Sequence, residues 1–454
     1  MSVMVENPAD YIQQCMSSGL SSSYRFCFEF ENMLLGSELS QKEVYQILLY
    51  KQDGRWRVAI ALLSDLAKGH NDQVNALENS LAVDGPWVFK TVSIPKPWGQ
   101  EIWYSAYEQR GVCHLADDNQ QSGVPVHLWL YLFPELLKPS TELNLLKVLA
   151  PFSSPLLGEL YFEMHEKKQE VYVVSHIDET AWPDGVAQMR FGFCSEKQKQ
   201  FSSFEAFKVA YLSVVKRYEG LRKQIDAALQ SQFQAVFTES NEQAKSEYLK
   251  QLPEALLRKE QLLADEMTSF IAKRPLRLGD VIQVPKLLPH GLLHGVRVVE
   301  FQTPVYERLI LSFRQKVLTQ DGWDTEQALA LLAEPPVSQG IQQGVCKLHT
   351  HFDELVNLER IVEFDGFEVF RLRFLQAGTV GLAELLCPVV GQNTNFGNIL
   401  MLALHEIAIQ NGPAELLLQP QEGACLPVWE NFSENSMQLQ AKKGSIVLLS
   451  RPLL

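Results

Sequence analysis

Residues 196–272 contain one glycine, Gly220, and one proline, Pro253, and are otherwise rich in Glu, Lys, Gln, Ala and Leu. Apolar side chains return at Phe204, Phe207, Tyr211, Val214 and Tyr218, the three- and four-residue spacing that lines one face of an α-helix. Pro253 stands near the start of a second charged, Leu-rich run, where a proline separates helices. This is a block of some three helices. On either side the pattern is that of strands: short apolar runs such as Leu145–Leu149, Glu170–Val174 and Met189–Phe193, punctuated by Pro, Gly, Ser and Asp. The chain therefore reads as mainly β with a helical insertion.

The same reading divides the 454 residues into regions. Residues 1–93 form an α+β region, with strands at Tyr24–Phe30, Glu43–Tyr50 and Arg55–Leu63, a helix from Ser64 to about Leu81, and no motif that carries chemistry. Residues 94–194 and 273–333 form one β barrel, interrupted by the helical block at 195–272. Within it, Pro275–Phe313 is β and Trp323–Leu332 a helix that follows the Asp321-Gly322 turn. Glu334–Gly344 is a linker. Residues 345–454 are a second β domain, with strands at Ile361–Phe374, Ala414–Gln419, Met437–Gln440 and Ser445–Leu449, and Lys442-Lys443-Gly444 as a hairpin turn.

Forty Lys and Arg stand against 54 Asp and Glu, a net charge of −14, with no basic run. Such a balance excludes a nucleic-acid binder, which needs a basic stripe to displace counterions. An anionic substrate would need local cations to hold it against the global field. The seven cysteines are widely spaced and form no Cys-x-x-Cys pair, which reads as buried thiols in a reducing compartment. The N-terminal residues lack a signal peptide's apolar core, and no apolar run reaches the length needed to span a bilayer. A cytoplasmic protein without membrane or nucleic-acid partners is expected; the oligomeric state is left open.

Two segments hold the chemistry. In Gly158-x4-Glu163-x-His165-x4-Glu170, strand alternation puts Glu163 and His165 on one face, and after a tight turn Glu170 opens the next strand. Two carboxylates and an imidazole on neighbouring strands can hold a divalent cation; a charged, solvated turn with a surface histidine is the plainer alternative. In Gly279-x5-Pro285-x-Leu287-x2-His290-x3-His294, a turn and a short apolar strand lead into a Pro-bounded loop that delivers His290, which taken alone can equally be a hydrogen-bonded structural histidine.

Together the two segments resemble the paired motifs of the cupins, small double-stranded β-barrels that hold a metal inside. Glu163 takes the place of the first motif's leading His, and Leu287 that of a Gly in the second. Within cupins the resemblance is closest to class I mannose-6-phosphate isomerases. It is carried by Lys96-Pro97-Trp98-Gly99, by Leu145–Leu149 before the metal motif, by Glu163-Met164-His165, by Lys168-Gln169-Glu170-Val171-Tyr172, by Val284-Pro285 leading to His290, and by Glu300-Phe301-Gln302 followed by Tyr306-Glu307-Arg308. It covers residues 94–320, more weakly the C-terminal β region, and the long insert between the motifs is typical.

That resemblance implies jelly-roll barrels and one divalent metal, zinc in the family, held by Glu163, His165, Glu170 and His290. It implies a phosphorylated sugar as small-molecule substrate and aldose–ketose isomerisation through an enediolate. Lys168 and Arg308 match residues that face the substrate, and Glu300 matches a conserved acid that can serve as base. Glu163 stands where the family has a neutral Gln. A doubly charged ion with two carboxylates and two imidazoles has a site charge near zero, which weakens its polarising power and favours Mn or Fe. The loop from His165 to Glu170 is shorter than in the isomerases, and the stretch between Glu300 and Arg308 is two residues shorter. A second reading thus stands beside the isomerase: a catalytically altered cupin that binds a sugar or other metabolite through a retained metal.

The remaining features invite plainer readings. His349-x-His351 fits a surface pair at a strand start. Trp98, Trp129 and Trp182 fit core packing better than a sugar pocket.

Overall fold

The computed structural model describes residues 3–18, 21–34, 40–66, 80–118, 123–232, 242–336, 345–390, 397–428 and 437–453. They gather into two compact units. One joins Ser93–Ile102 to Lys147–Gln343; the other joins Met1–Val92, Trp103–Leu146 and Gly344–Leu454. No helix among the described residues is long and apolar enough to cross a membrane.

The first unit contains two antiparallel-paired sheets built from strands β1 (Val92–Lys96), β2 (Gly99–Trp103), β3 (Leu145–Pro151), β4 (Phe162–Met164), β5 (Glu170–Ile177), β6 (Ala187–Phe193), β7 (Ile271–Leu276), β8 (Val281–Val284), β9 (His290–Leu292), β10 (Val296–Gln302) and β11 (Leu309–Ser312). One sheet runs β8-β5-β10-β3-β2-β1 and the other β7-β6-β9-β4-β11. Tyr172, Val174, Ile282 and Val298 from the first pack with Met189, Phe191, Leu292 and Ile310 from the second in one buried cluster. This is the sandwich of a jelly-roll barrel, with two inner faces closing on each other.

The helical block explains which way the second sheet faces. It comprises a short helix at Ser195–Gln198, then α1 (Phe204–Gln232), α2 (Glu242–Lys250) and α3 (Glu254–Thr268). Phe207, Tyr211, Val215 and Tyr218 of α1 pack with Phe162, Met164, Phe193 and Leu311. Those sheet residues alternate with Glu163 and Ile310, so covering them with helices turns Glu163 and Ile310 inward. Pro253 caps the start of α3, where its missing N–H costs nothing.

The second unit holds, among the described residues, three larger sheets and a two-stranded ribbon of Tyr107–Glu108 with Gly111–Val112. A five-stranded sheet is built from Val3–Met4, Ser23–Met33, Ser40–Gln52, Arg55–Leu62 and Ser80–Ala82. Asp53 and Gly54, both at positive φ, join its third and fourth strands in the two-residue turn that suits a twisted hairpin. A nine-stranded sheet pairs Trp87–Lys90 with Gly423–Pro427, so strands from before and after the barrel share one ladder. A four-stranded sheet packs with it around Phe370, Leu372, Met401, Ile409 and Leu449.

The sequence reading needs four corrections here. Ile361–Phe374 is two strands, Val356–Glu363 and Phe367–Phe374, paired as a hairpin. Lys442-Lys443-Gly444 does turn the chain, with Gly444 at φ 85, yet the strands it joins lie in different sheets, so it is no hairpin. The helix after Trp323 spans only Thr325–Ala330. Of the helix expected from Ser64, Leu63–Leu66 is helical, residues 67–79 lie outside the described residues, and Ser80–Ala82 is strand. Residues 337–344 of the expected linker also lie outside them.

Candidate metal centre

The inner faces of the two barrel sheets bring the candidate residues together. On the five-stranded side Glu163 of β4 stands opposite His290 of β9. On the six-stranded side Glu170 opens β5 opposite Gln302, and Tyr172 stands opposite Glu300, so these four share one face. Gly291 lets the first pair approach: a Cβ there would run into the carbonyl oxygen of Tyr161. Leu287, at φ 62, lies where the cupin motif has glycine, and its amide donates to the His165 carbonyl at 2.6 Å.

One ligand atom each from Glu163, His165 and His290 lies within 4.8 Å of the other two. Glu170 joins them: its Oε1 is 3.4 Å from His165 Nε2 and its Oε2 3.2 Å from His290 Nε2. The imidazole rings lie 5.3 Å apart, centroid to centroid. His165, Glu170 and His290 are each 1% exposed, which rules out the solvated surface turn.

Both histidines are fixed in one tautomer. His165 Nδ1 is 2.9 Å from the Glu307 carbonyl oxygen, and His290 Nδ1 is 2.9 Å from that of Leu288. A carbonyl only accepts, so each Nδ1 carries a proton and Nε2 is the ring nitrogen that faces the centre. Burial, and then the Lys168 charge, hold the His165 imidazole well below its usual pKa, so it stays neutral as a metal ligand must. Glu163 Oε2 and His165 Nε2 are buried and have no hydrogen-bond partner among the described residues. Buried polar atoms are rarely left unsatisfied, and acceptors gathered this way fit a cation.

The surrounding charges are arranged in layers. The Lys168 ammonium pairs directly with Glu170 Oε1. Burial would raise the Glu170 carboxyl, but the Lys168 charge holds it well below the carboxylate range. The Tyr172 hydroxyl donates to Glu170 Oε2 at 2.6 Å and lies 3.2 Å from His290 Nε2. Burial and the Glu170 charge push Glu300 up to about 8, against the pull of Lys147 and Lys168. Lys147 donates to Gln302 Oε1 at 3.0 Å. Arg308 lies 4.6 Å above the Tyr161 ring and donates to Thr319 Oγ1 at 2.6 Å; although its burial works the other way, the Glu163 charge raises its pKa.

The sequence reading assigned no role to Tyr172, Glu307 or Lys147. The signal for Tyr172 was present, since a residue two after Glu170 on a strand shares its face. The Glu307 carboxylate accepts from the backbone N–H groups of Glu166 and Lys167 at 2.6 and 3.0 Å, a contact across the barrel that no local pattern reveals. Outside the centre, His349 is exposed and pairs with Asp353 at 2.7 Å, as a surface histidine does. Trp98 and Trp129 are fully buried, and Trp182 stacks on His294 at 4.7 Å.

No protein-family model matches the chain, and no curated protein does. Solved structures do. Mannose 6-phosphate isomerase from Bacillus subtilis is 10% identical, with a TM-score of 0.52 over 80% of this chain and 99% of that one. The apo form from Salmonella typhimurium is 13% identical, covers 81% of this chain and 99% of its own, and has a TM-score of 0.48. A zinc-bound mannose 6-phosphate isomerase is 12% identical, over 81% and 100%, with the same score. The Bacillus likeness defines the class of fold: a mainly β, multi-sheet architecture of the phosphomannose isomerase type. Within that fold, this chain carries a His/Glu group able to hold a metal ion.

Proposed function

We propose that the chain is a metal-dependent aldose–ketose isomerase acting on a phosphorylated sugar, of the mannose 6-phosphate/fructose 6-phosphate type. The observation that carries this reading is the convergence of Glu163, His165 and His290 within 4.8 Å, with Glu170 against both imidazoles. Glu163, His165, Glu170 and His290 would hold one divalent ion, zinc, or the harder Mn or Fe that two carboxylates favour. Bound there, the ion supplies Lewis-acid polarisation of substrate oxygens.

The other side chains fit the remaining demands of isomerisation, in which a proton leaves one carbon and returns to its neighbour. Glu300, with a carboxyl at about 8, can hold or release a proton near neutral pH, as a base that must take and return one requires. The Lys168 cation pairs with Glu170, and the Arg308 cation interacts electrostatically with Glu163. They offer electrostatic stabilisation for an anionic intermediate and local attraction for a phosphate despite the net charge of −14. Deep burial of the centre keeps water from an enediolate.

The test is interconversion of mannose 6-phosphate and fructose 6-phosphate by metal-loaded protein. Turnover that is lost in Glu300→Gln with metal content unchanged supports the reading. A second reading rests on Glu163, the anionic residue in place of glutamine: a cupin that keeps its metal to bind a sugar or other metabolite without isomerising it. Full metal occupancy with no turnover selects that alternative.

A further inference from the structure

A cleft lies in the other unit, against the five-stranded sheet. Its third and fourth strands place Tyr50 opposite Arg57 and Gln52 opposite Arg55. Cross-strand partners, and residues two apart, share a face, so these four side chains form one patch. The patch lines a cleft of about 660 Å³, in the size range of small-molecule sites, whose far wall includes Glu415.

Both arginines are held through Nε and NH2. Arg55 grips Asp84 through Nε at 2.9 Å and NH2 at 2.6 Å. Arg57 donates to the Ser80 carbonyl at 2.9 Å and to Asp117 at 2.5 Å through NH2, and the Tyr50 hydroxyl fixes the same Ser80 side chain at 3.1 Å. Arg55 NH1 makes no hydrogen bond among the described residues, and Arg57 also interacts with the Tyr50 hydroxyl. Two guanidiniums whose orientation is already set lose little freedom when a ligand arrives.

Charge selects the ligand class. The lining carries two guanidiniums, Arg55 and Arg57, against three carboxylates, Asp117, Asp118 and Glu415. An anion gains nothing from such a surface. A ligand rich in hydroxyls gains from both signs, because a hydroxyl accepts from a guanidinium and donates to a carboxylate. We propose that this cleft binds an uncharged saccharide, independently of the metal centre. Gln52 and Glu415, both exposed at the rim, contact the sugar, and the arginine pair supplies its fixed donors.

Saturation-transfer NMR on the metal-loaded full chain tests this with D-mannose, D-glucose, maltose and cellobiose, and with mannose 6-phosphate as the charged control. The expected result is binding of at least one neutral sugar, weakened five-fold or more in the Gln52→Ala/Glu415→Ala double variant and unchanged in His290→Ala. The two rim residues make no buried contact, so their loss leaves the fold intact. No binding by any neutral sugar, binding of the phosphorylated control alone, or binding that the rim variant leaves untouched and His290→Ala abolishes would each overturn the proposal.

Discussion

At the scale of single residues, the centre is defined by what each buried group lacks as much as by what it contacts. Glu163 stands where the resembled isomerases have a neutral amide, and it adds a second anionic donor beside Glu170. On the proposed isomerase reading, Glu163→Gln is expected to raise turnover by restoring that ligand type, measured at equal metal occupancy; unchanged or lower turnover counts against the charge argument. Glu300 gives a pH signature. Its carboxyl sits at about 8 in the fold against roughly 4.3 in an unfolded chain. The folded state therefore keeps a proton the unfolded state has lost, and this contribution to stability, full below about pH 4, drains away as pH rises through 8. In metal-free protein, Glu300→Gln should flatten the fall in Tm between pH 5 and pH 8; parallel curves for the two proteins would show that Glu300 is not held protonated.

At the scale of elements, the local patterns were readable and the long-range ladders were not. The strand at Glu170–Ile177 and the α1 face of Phe207, Tyr211 and Tyr218 follow from period alone. The helix Val126–Leu132 does not, because seven residues with the sequence VHLWLYL are apolar on every side and give no period. Ile361–Phe374 looks like one strand from its apolar run, whereas Asp365-Gly366 turns the chain between Val356–Glu363 and Phe367–Phe374. Gly291 and the α3 contact give the tests. Gly291→Val would push a side chain into the Tyr161 backbone and part β4 from β9, with an expected cost of about 1–3 kcal/mol and weaker metal binding, read by thermal unfolding and titration. Buried Glu260 of α3 accepts from Tyr218 at 2.6 Å and from Arg314 at 3.0 Å. Arg314→Met strands that carboxylate and should cost about 3–5 kcal/mol, while the double variant with Glu260→Gln should recover much of the loss in chemical denaturation.

At the scale of the whole molecule, the motif pair from two stretches more than a hundred residues apart becomes one centre because both sheets of a single barrel turn those positions inward. The four ligand candidates and their approximate spacing were legible in the sequence, since strand alternation and a turn suffice to align Glu163, His165 and Glu170. The partners that tune them were not: the Glu307 carbonyl that sets the His165 tautomer arrives from across the barrel. Nor was the joining of Trp87–Lys90, His114–Ala116 and Val124–Pro125 with the C-terminal strands in one sheet, which no local periodicity encodes. Metal binding is the property on which the proposed chemistry of this centre depends most directly. Titrating the purified, metal-stripped full chain with Zn²⁺ and with Mn²⁺, followed by elemental analysis, should give one tightly held ion per chain, a raised Tm, and loss of both in His165→Ala and His290→Ala. Folded protein that takes up no ion, or an ion retained in full by both variants, would contradict it.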